Sequence, residues 1–204
     1  PSATQTRATV FWFSLAELKH LALGALLVMA VGMSLFLFIQ PAPPLVLLSF
    51  AVVFTFSFMF HELAHKLTAQ HYGLWAEFRM TPIGALVTLL SIFSPLKIIS
   101  PGAVMIAGSG SEKTLGKVSL AGPLVNLLFS AVFVGVSMFS TGYIFLIAVL
   151  SGFFNALIAF INLIPLGILD GLKVFGWNKA VWAVAFLSSL TLFIWTFINV
   201  KWLF

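Results

Sequence analysis

The chain has 204 residues, 61% hydrophobic and only 7% charged, with a mean hydropathy of +1.15. A soluble domain carries about 25% charged residues, so this chain cannot cover a water-exposed surface and reads as an integral membrane protein. Its ten basic residues are scattered rather than gathered into a stripe, which excludes ordinary nucleic-acid binding, and the lack of cysteine excludes disulfides and thiolate metal sites.

Residues 11–20 are mixed, with Trp12, Glu17 and Lys19, and read as an interfacial lead-in. Residues 21–40 supply the first run of about 20 apolar residues that a spanning helix needs. The prolines of PAPP (Pro41, Pro43, Pro44) stop it, because proline has no N–H to donate. Residues 45–71 form the second span, with Gly73 placed as its C-terminal cap. Residues 75–117 are apolar but broken by Pro82, Pro95 and Pro101. Within them GALVTLL and GAVMIAG are too short to cross as helices and carry the Val, Ile and Thr of strands. Such strands must pair and lie against protein or a water-filled cavity, since open edges do not face lipid. Three more spans follow: residues 118–139, 143 to about 165, and about 180–200. The expected fold is a mainly α-helical multi-pass membrane protein with about five to six transmembrane helices. A small membrane-associated β-sheet is expected between the second and third spans. Residues 1–204 read as a single integral membrane domain, with no internal repeat, low-complexity tract or second domain.

Five spans put the two ends on opposite sides. With the N-terminus inside, Arg7, Lys19, Lys66, Arg79, Lys97, Lys113, Lys117, Lys173 and Lys179 fall on the cytoplasmic side and only Lys201 outside. That asymmetry sets the orientation by the positive-inside rule.

The second span contains HELAH, an H-E-x-x-H pattern formed by His61, Glu62, Leu63, Ala64 and His65. Ionisable groups at membrane depth are costly and mark function. Residues four apart share a helical face, so both imidazoles can reach one ion, and Glu62 is placed as general base for a water. The bland reading is a pair of histidines satisfied by neighbouring helices. It weakens because the chain has only four histidines and five acids, and three of them fall within five positions.

Catalytic zinc takes three protein ligands. His20 and His71 sit at expected interfaces and read as solvated, while Glu77 and Glu112 lie in the cytoplasmic stretch. Asp170, the chain's one aspartate, directly follows a span that Pro165 and Gly167 should end. Alone, Asp170-Gly171 reads as a common turn pair; beside HELAH it becomes the candidate third ligand. Asn126, Asn155 and Asn162 lie at membrane depth, where interhelical hydrogen bonding is their plain explanation.

HELAH on a membrane helix, followed by AGPLVNLL (121–128) and NLIPLGILDG (162–171), resembles the site-2 protease family of intramembrane zinc metalloproteases. The resemblance implies one Zn²⁺ held by His61, His65 and Asp170, Glu62 as the catalytic glutamate, and Asn162 as a contact to substrate or transition state. It also implies transmembrane-segment protein substrates met in the lipid bilayer. The likeness covers a catalytic core of roughly residues 45–171 with no separate regulatory domain, and so uninterrupted a core reads as a multi-pass protein of a prokaryotic cell membrane. The charge asymmetry puts the active site nearer the cytoplasmic side. Two rivals remain at this level. An ion- or proton-coupled transporter would use the same His, Glu and Asp but does not explain the H-E-x-x-H spacing. A non-catalytic scaffold would have no need of Glu62.

Overall fold

The computed structural model describes residues 12–34, 43–94, 97 and 99–200. Among them, five helices are long and apolar enough to cross a membrane: α1 (Leu15–Ser34), α2 (Pro44–His71), α4 (Glu112–Met138), α5 (Gly142–Asn162) and α7 (Lys179–Val200). Two strands, β1 (Trp75–Met80) and β2 (Gly102–Ala107), flank a short helix α3 (Pro82–Leu90), and α6 (Asp170–Trp177) joins α5 to α7. The expected class is therefore the observed one, a helical membrane protein with a small antiparallel sheet after the second span.

Helix ends follow local chemistry. Pro43 is the N-cap of α2 and Pro44 its first helical residue, where a missing N–H costs nothing; Pro41 lies outside the described residues. At the other end Gly73 adopts φ 74°, and its N–H and that of Leu74 donate to Gln70 O and Ala69 O at 2.9 and 3.0 Å. This is a Schellman cap, and it needs the left-handed residue that glycine supplies.

Three expectations are corrected. Residues 11–20 are not merely a lead-in, because α1 already starts at Leu15; residues 35–40 of the expected first span lie outside the described residues. The third span begins at Glu112 rather than Val118, capped by Ser111, whose hydroxyl accepts the Thr114 N–H at 3.1 Å. GALVTLL is helical within α3 rather than a strand. There Thr81 accepts the Gly84 N–H at 3.1 Å and Pro82 takes the first helical position, a start signal that outweighs β-propensity over so short a run. The strand that pairs with GAVMIA is WAEFRM, from Trp75↔Ala107 to Met80↔Gly102.

The core lies between α1, α2, α5 and the sheet. Phe50 stacks on Phe54 at 5.5 Å, and both rings meet Phe154 of α5, at 5.2 and 5.4 Å. Between spans the hydrophobic effect gives little drive, so close van der Waals approach matters more. Gly32 shows that approach: a Cβ there would lie 3.2 Å from the Ala51 Cα.

The sheet and α3 form an excursion that packs alongside α1. Phe78 and Met80 of β1 bond to Glu17 and His20, near the start of α1. Lys97, between α3 and β2, donates instead to Ser34 Oγ at 2.9 Å, at the helix's far end. Ser34 is fourteen residues on from His20, about 21 Å at 1.5 Å per residue. Lys97 therefore sits at the opposite end of α1 from Lys66 and Arg79, against its expected place among the cytoplasmic cations. Ile83, Leu86, Leu90 and Phe93 on this excursion are exposed, an apolar surface suited to lipid.

Candidate metal centre

The site is assembled from α2, α4 and the N-terminus of α6. His61 and His65, one turn apart on α2, are buried and face α4. Helix α4 answers with a stripe of the same four-residue spacing: Val118, Gly122 and Asn126. His65 Nδ1 donates to Val118 O at 2.8 Å, and His61 Nδ1 lies 2.5 Å from Asn126 Oδ1. Between these contacts Gly122 leaves room for the rings. A Cβ on it would fall 2.3 Å from His65 Nε2 and 2.7 Å from His61 Nε2.

The ring tautomers follow from the network. Asn155 Nδ2 donates to Ser151 O and to Ser57 Oγ, both at 2.9 Å; a carbonyl only accepts, so this fixes which end of the Asn155 amide is nitrogen. Asn155 Oδ1 then accepts from Asn126 Nδ2 at 2.9 Å, which leaves Asn126 Oδ1 to accept the His61 Nδ1 proton. His65 is settled in the same way by the Val118 carbonyl. Both Nε2 lone pairs consequently face the same point, 3.1 Å apart.

Asp170 completes the triangle. Its Oδ2 lies 3.1 Å from His65 Nε2 and 3.7 Å from His61 Nε2. Two lone pairs and a carboxylate so close repel unless a cation, proton or metal, stands among them. The spacing fits a metal: a tetrahedral ion with arms of about 2.0–2.1 Å separates its ligands by roughly 3.3 Å. Asp170 reaches this point because α5 ends at Asn162 and the chain turns back over residues 163–169. Gly171 permits the turn, since a Cβ there would meet Leu163 O at 2.2 Å. Trp182 of α7 pins it, donating from Nε1 to Leu163 O at 2.7 Å.

Glu62 lines the same cavity as the three donors, with Val104 of β2 and Asn162 on its walls. Asn162 Nδ2 donates one of its two hydrogens back to Ile158 O at 3.0 Å, which leaves its amide oxygen and second N–H for the cavity. The other candidates lie elsewhere. His71 is exposed at the end of α2, and Glu112 is exposed at the start of α4. Glu77 is buried in an ion pair with Arg79. His20 is not solvated as expected: it is half-buried and accepts the Met80 N–H at 3.3 Å.

Asn126, Asn155 and Gly122 were not readable as site residues from their types alone. The detectable signal was spacing, for Gly122 and Asn126 repeat the interval of His61 and His65. Replacing Asn126 with leucine should leave the His61 Nδ1–H unpaired and the ring free to turn. Zinc affinity, measured by chelator competition, is expected to fall by about 10–100-fold with the protein still folded.

A multi-span helical protein whose two histidines and one aspartate converge within bonding reach of a single cation belongs to the membrane metalloproteins. No family model matches the chain, and no solved structure matches it. Among curated proteins, it is 32% identical over 181 residues to "Putative zinc metalloprotease MJ0611" of Methanocaldococcus jannaschii, covering 86% of this chain and 92% of that one. The chain belongs to this archaeal protein's family of zinc metalloproteases.

Proposed function

We propose that the chain is an intramembrane protease of the site-2 type, hydrolysing peptide bonds within or near transmembrane segments of membrane-protein substrates. The observation that carries this reading is the donor triangle of His61, His65 and Asp170 with Glu62 on the same cavity wall. His61 lies ten residues before the end of α2, about 15 Å along a helix that reads as a span. A metalloprotease needs no such depth for water-soluble substrates.

The three residues fit one Zn²⁺, which when bound would supply a Lewis acid to polarise a peptide carbonyl and acidify a water. Glu62 takes the proton from the attacking water and delivers it to the departing amine nitrogen. Asn162 contributes an amide at the cavity wall as a contact to substrate or transition state. The whole chain acts as one catalytic unit in a prokaryotic cell membrane, a setting supported by the archaeal relative, with the site nearer the cytoplasmic side.

A helical substrate hides its carbonyls and must unwind before cleavage. Strand β2 offers the unwound segment a place to pair. Thr81 N–H donates to Pro101 O at 3.1 Å. Continued along the antiparallel ladder, this alternation directs Ala103 and Met105 towards β1. Gly102, Val104 and Ile106 then direct their backbone groups to the open edge, and all three line the cavity.

The test is Glu62→Gln. The variant should retain zinc while its cleavage of a membrane-embedded substrate falls by about 10²–10⁴-fold. Equal cleavage by both proteins would remove Glu62 from the chemistry, and transport activity in liposomes without peptidase activity would replace the reading altogether.

A further inference from the structure

The two edges of the sheet are treated differently. Along the outer edge of β1, Phe78 N–H donates to Glu17 Oε1 at 2.9 Å and Met80 N–H to His20 Nδ1 at 3.3 Å, while Ala76 O accepts from Gln70 Nε2 at 3.5 Å. Every second residue of that edge is thus met by a side chain of α1 or α2, as the ladder's alternation requires. The outer edge of β2 faces the cavity instead, where the Val104 N–H meets the Glu62 carboxylate and Gly102 and Ile106 lie on the cavity wall.

Glu17 is itself held. Its second carboxylate oxygen pairs with Lys66, the residue after His65, and both side chains are almost completely buried. Lys66 Nζ also donates to Trp12 O at 2.7 Å and lies 3.4 Å from the centre of the Phe13 ring. One buried ion pair therefore joins the start of α1, the histidine-bearing turn of α2 and the backbone of β1. Simple cohesion does not call for it, because an apolar pair of similar size holds helices together at least as well.

We propose that Glu17, held by Lys66, is a positioning residue for the substrate. It fixes β1 against the metal-binding helix, and through the β1–β2 ladder it sets the height of the open β2 edge relative to Glu62. With His20 and Gln70 it also closes the opposite edge, so an unwound segment has one strand to join and one register in which to join it. This rests on the strand-pairing reading above. Its consequence is selectivity for where the peptide is cut, with metal retention left untouched.

The experiment uses full-length protein in phosphatidylcholine–phosphatidylglycerol vesicles and a membrane peptide cut by wild type but not by Glu62→Gln. The double variant Glu17→Met/Lys66→Met removes the clamp while keeping its volume, and His20→Phe loosens only the Met80 end. Zinc content should match wild type in both. For the double variant KM should rise by about tenfold or more with a smaller change in kcat, and mass spectrometry should find new cleavage positions. His20→Phe should show the same changes, weaker. Hydrogen exchange at residues 76–80 should quicken in both.

Peptides N-methylated at the residues that would pair with β2 separate the two ideas. If N-methylation does not slow cleavage by wild type, strand pairing itself is wrong. If it does, but the double variant cuts at the wild-type position with wild-type KM, the positioning role is overturned. Loss of zinc by the double variant would also overturn it, because the pair would then serve the metal centre.

Discussion

A methyl group on Gly122 is expected to empty the metal centre without altering any ligand. In Gly122→Ala the new Cβ would stand 2.3 and 2.7 Å from the Nε2 atoms of His65 and His61, well inside any tolerated contact. The rings cannot simply back away, because their Nδ1 protons are committed to Val118 O and Asn126 Oδ1. Relief must come from turning an imidazole out of the triangle or pushing α4 from α2, and either separates the donors. Purified protein should fall from about one equivalent of zinc towards none, with cleavage lost in proportion. Helix propensity cannot be blamed, since alanine is favoured over glycine inside a helix by about 0.5–1 kcal/mol. Gly135→Ala, on the same helix with open space around its Cβ, is the control and should keep both zinc and activity. Full zinc occupancy in Gly122→Ala would show that the rings do not sit as described.

Asp170→Asn is the second large effect. The amide has nearly the shape of the carboxylate, so backbone and packing should hold, with Gly171 still seated against the Leu163 carbonyl. The anion is lost, and with it the strongest reason for a dication to stay between two neutral imidazoles. Zinc affinity is expected to fall by well over 100-fold, beyond the 10–100-fold typical of altering a ligand's supporting partner. Cleavage should disappear at metal concentrations that saturate wild type. Metal analysis and a cleavage assay on one preparation decide it. Wild-type zinc binding would mean that the third donor is another group, and the turn after α5 would return to its plain reading as an Asp-Gly turn.

Much of this protein was legible in the chain. Long apolar runs announce spans because lipid offers backbone groups no alternative partner, and only the ends moved, at Leu15 and Glu112, where capping decides. His61 and His65 share a helical face by spacing alone. The glutamate between them and the lone aspartate after a span stood out because charge is so scarce here. Tertiary structure decided the rest. Asp170 is more than a hundred residues from His61, and no local rule says that a turn pinned by Trp182 returns it to α2. Asn126 and Asn155 looked like ordinary interhelical polar residues until their amide orientations were fixed by a carbonyl on α5. GALVTLL has strand composition but follows a threonine cap and a proline, and whether so short a run forms helix or strand depends on available partners. The sequence determines which residues can bear charge inside the membrane and which can share a face. Which lone pairs meet, and which sheet edge stays open, belongs to the packing of α1 and α4, because those are distances between segments that the chain's own order does not encode.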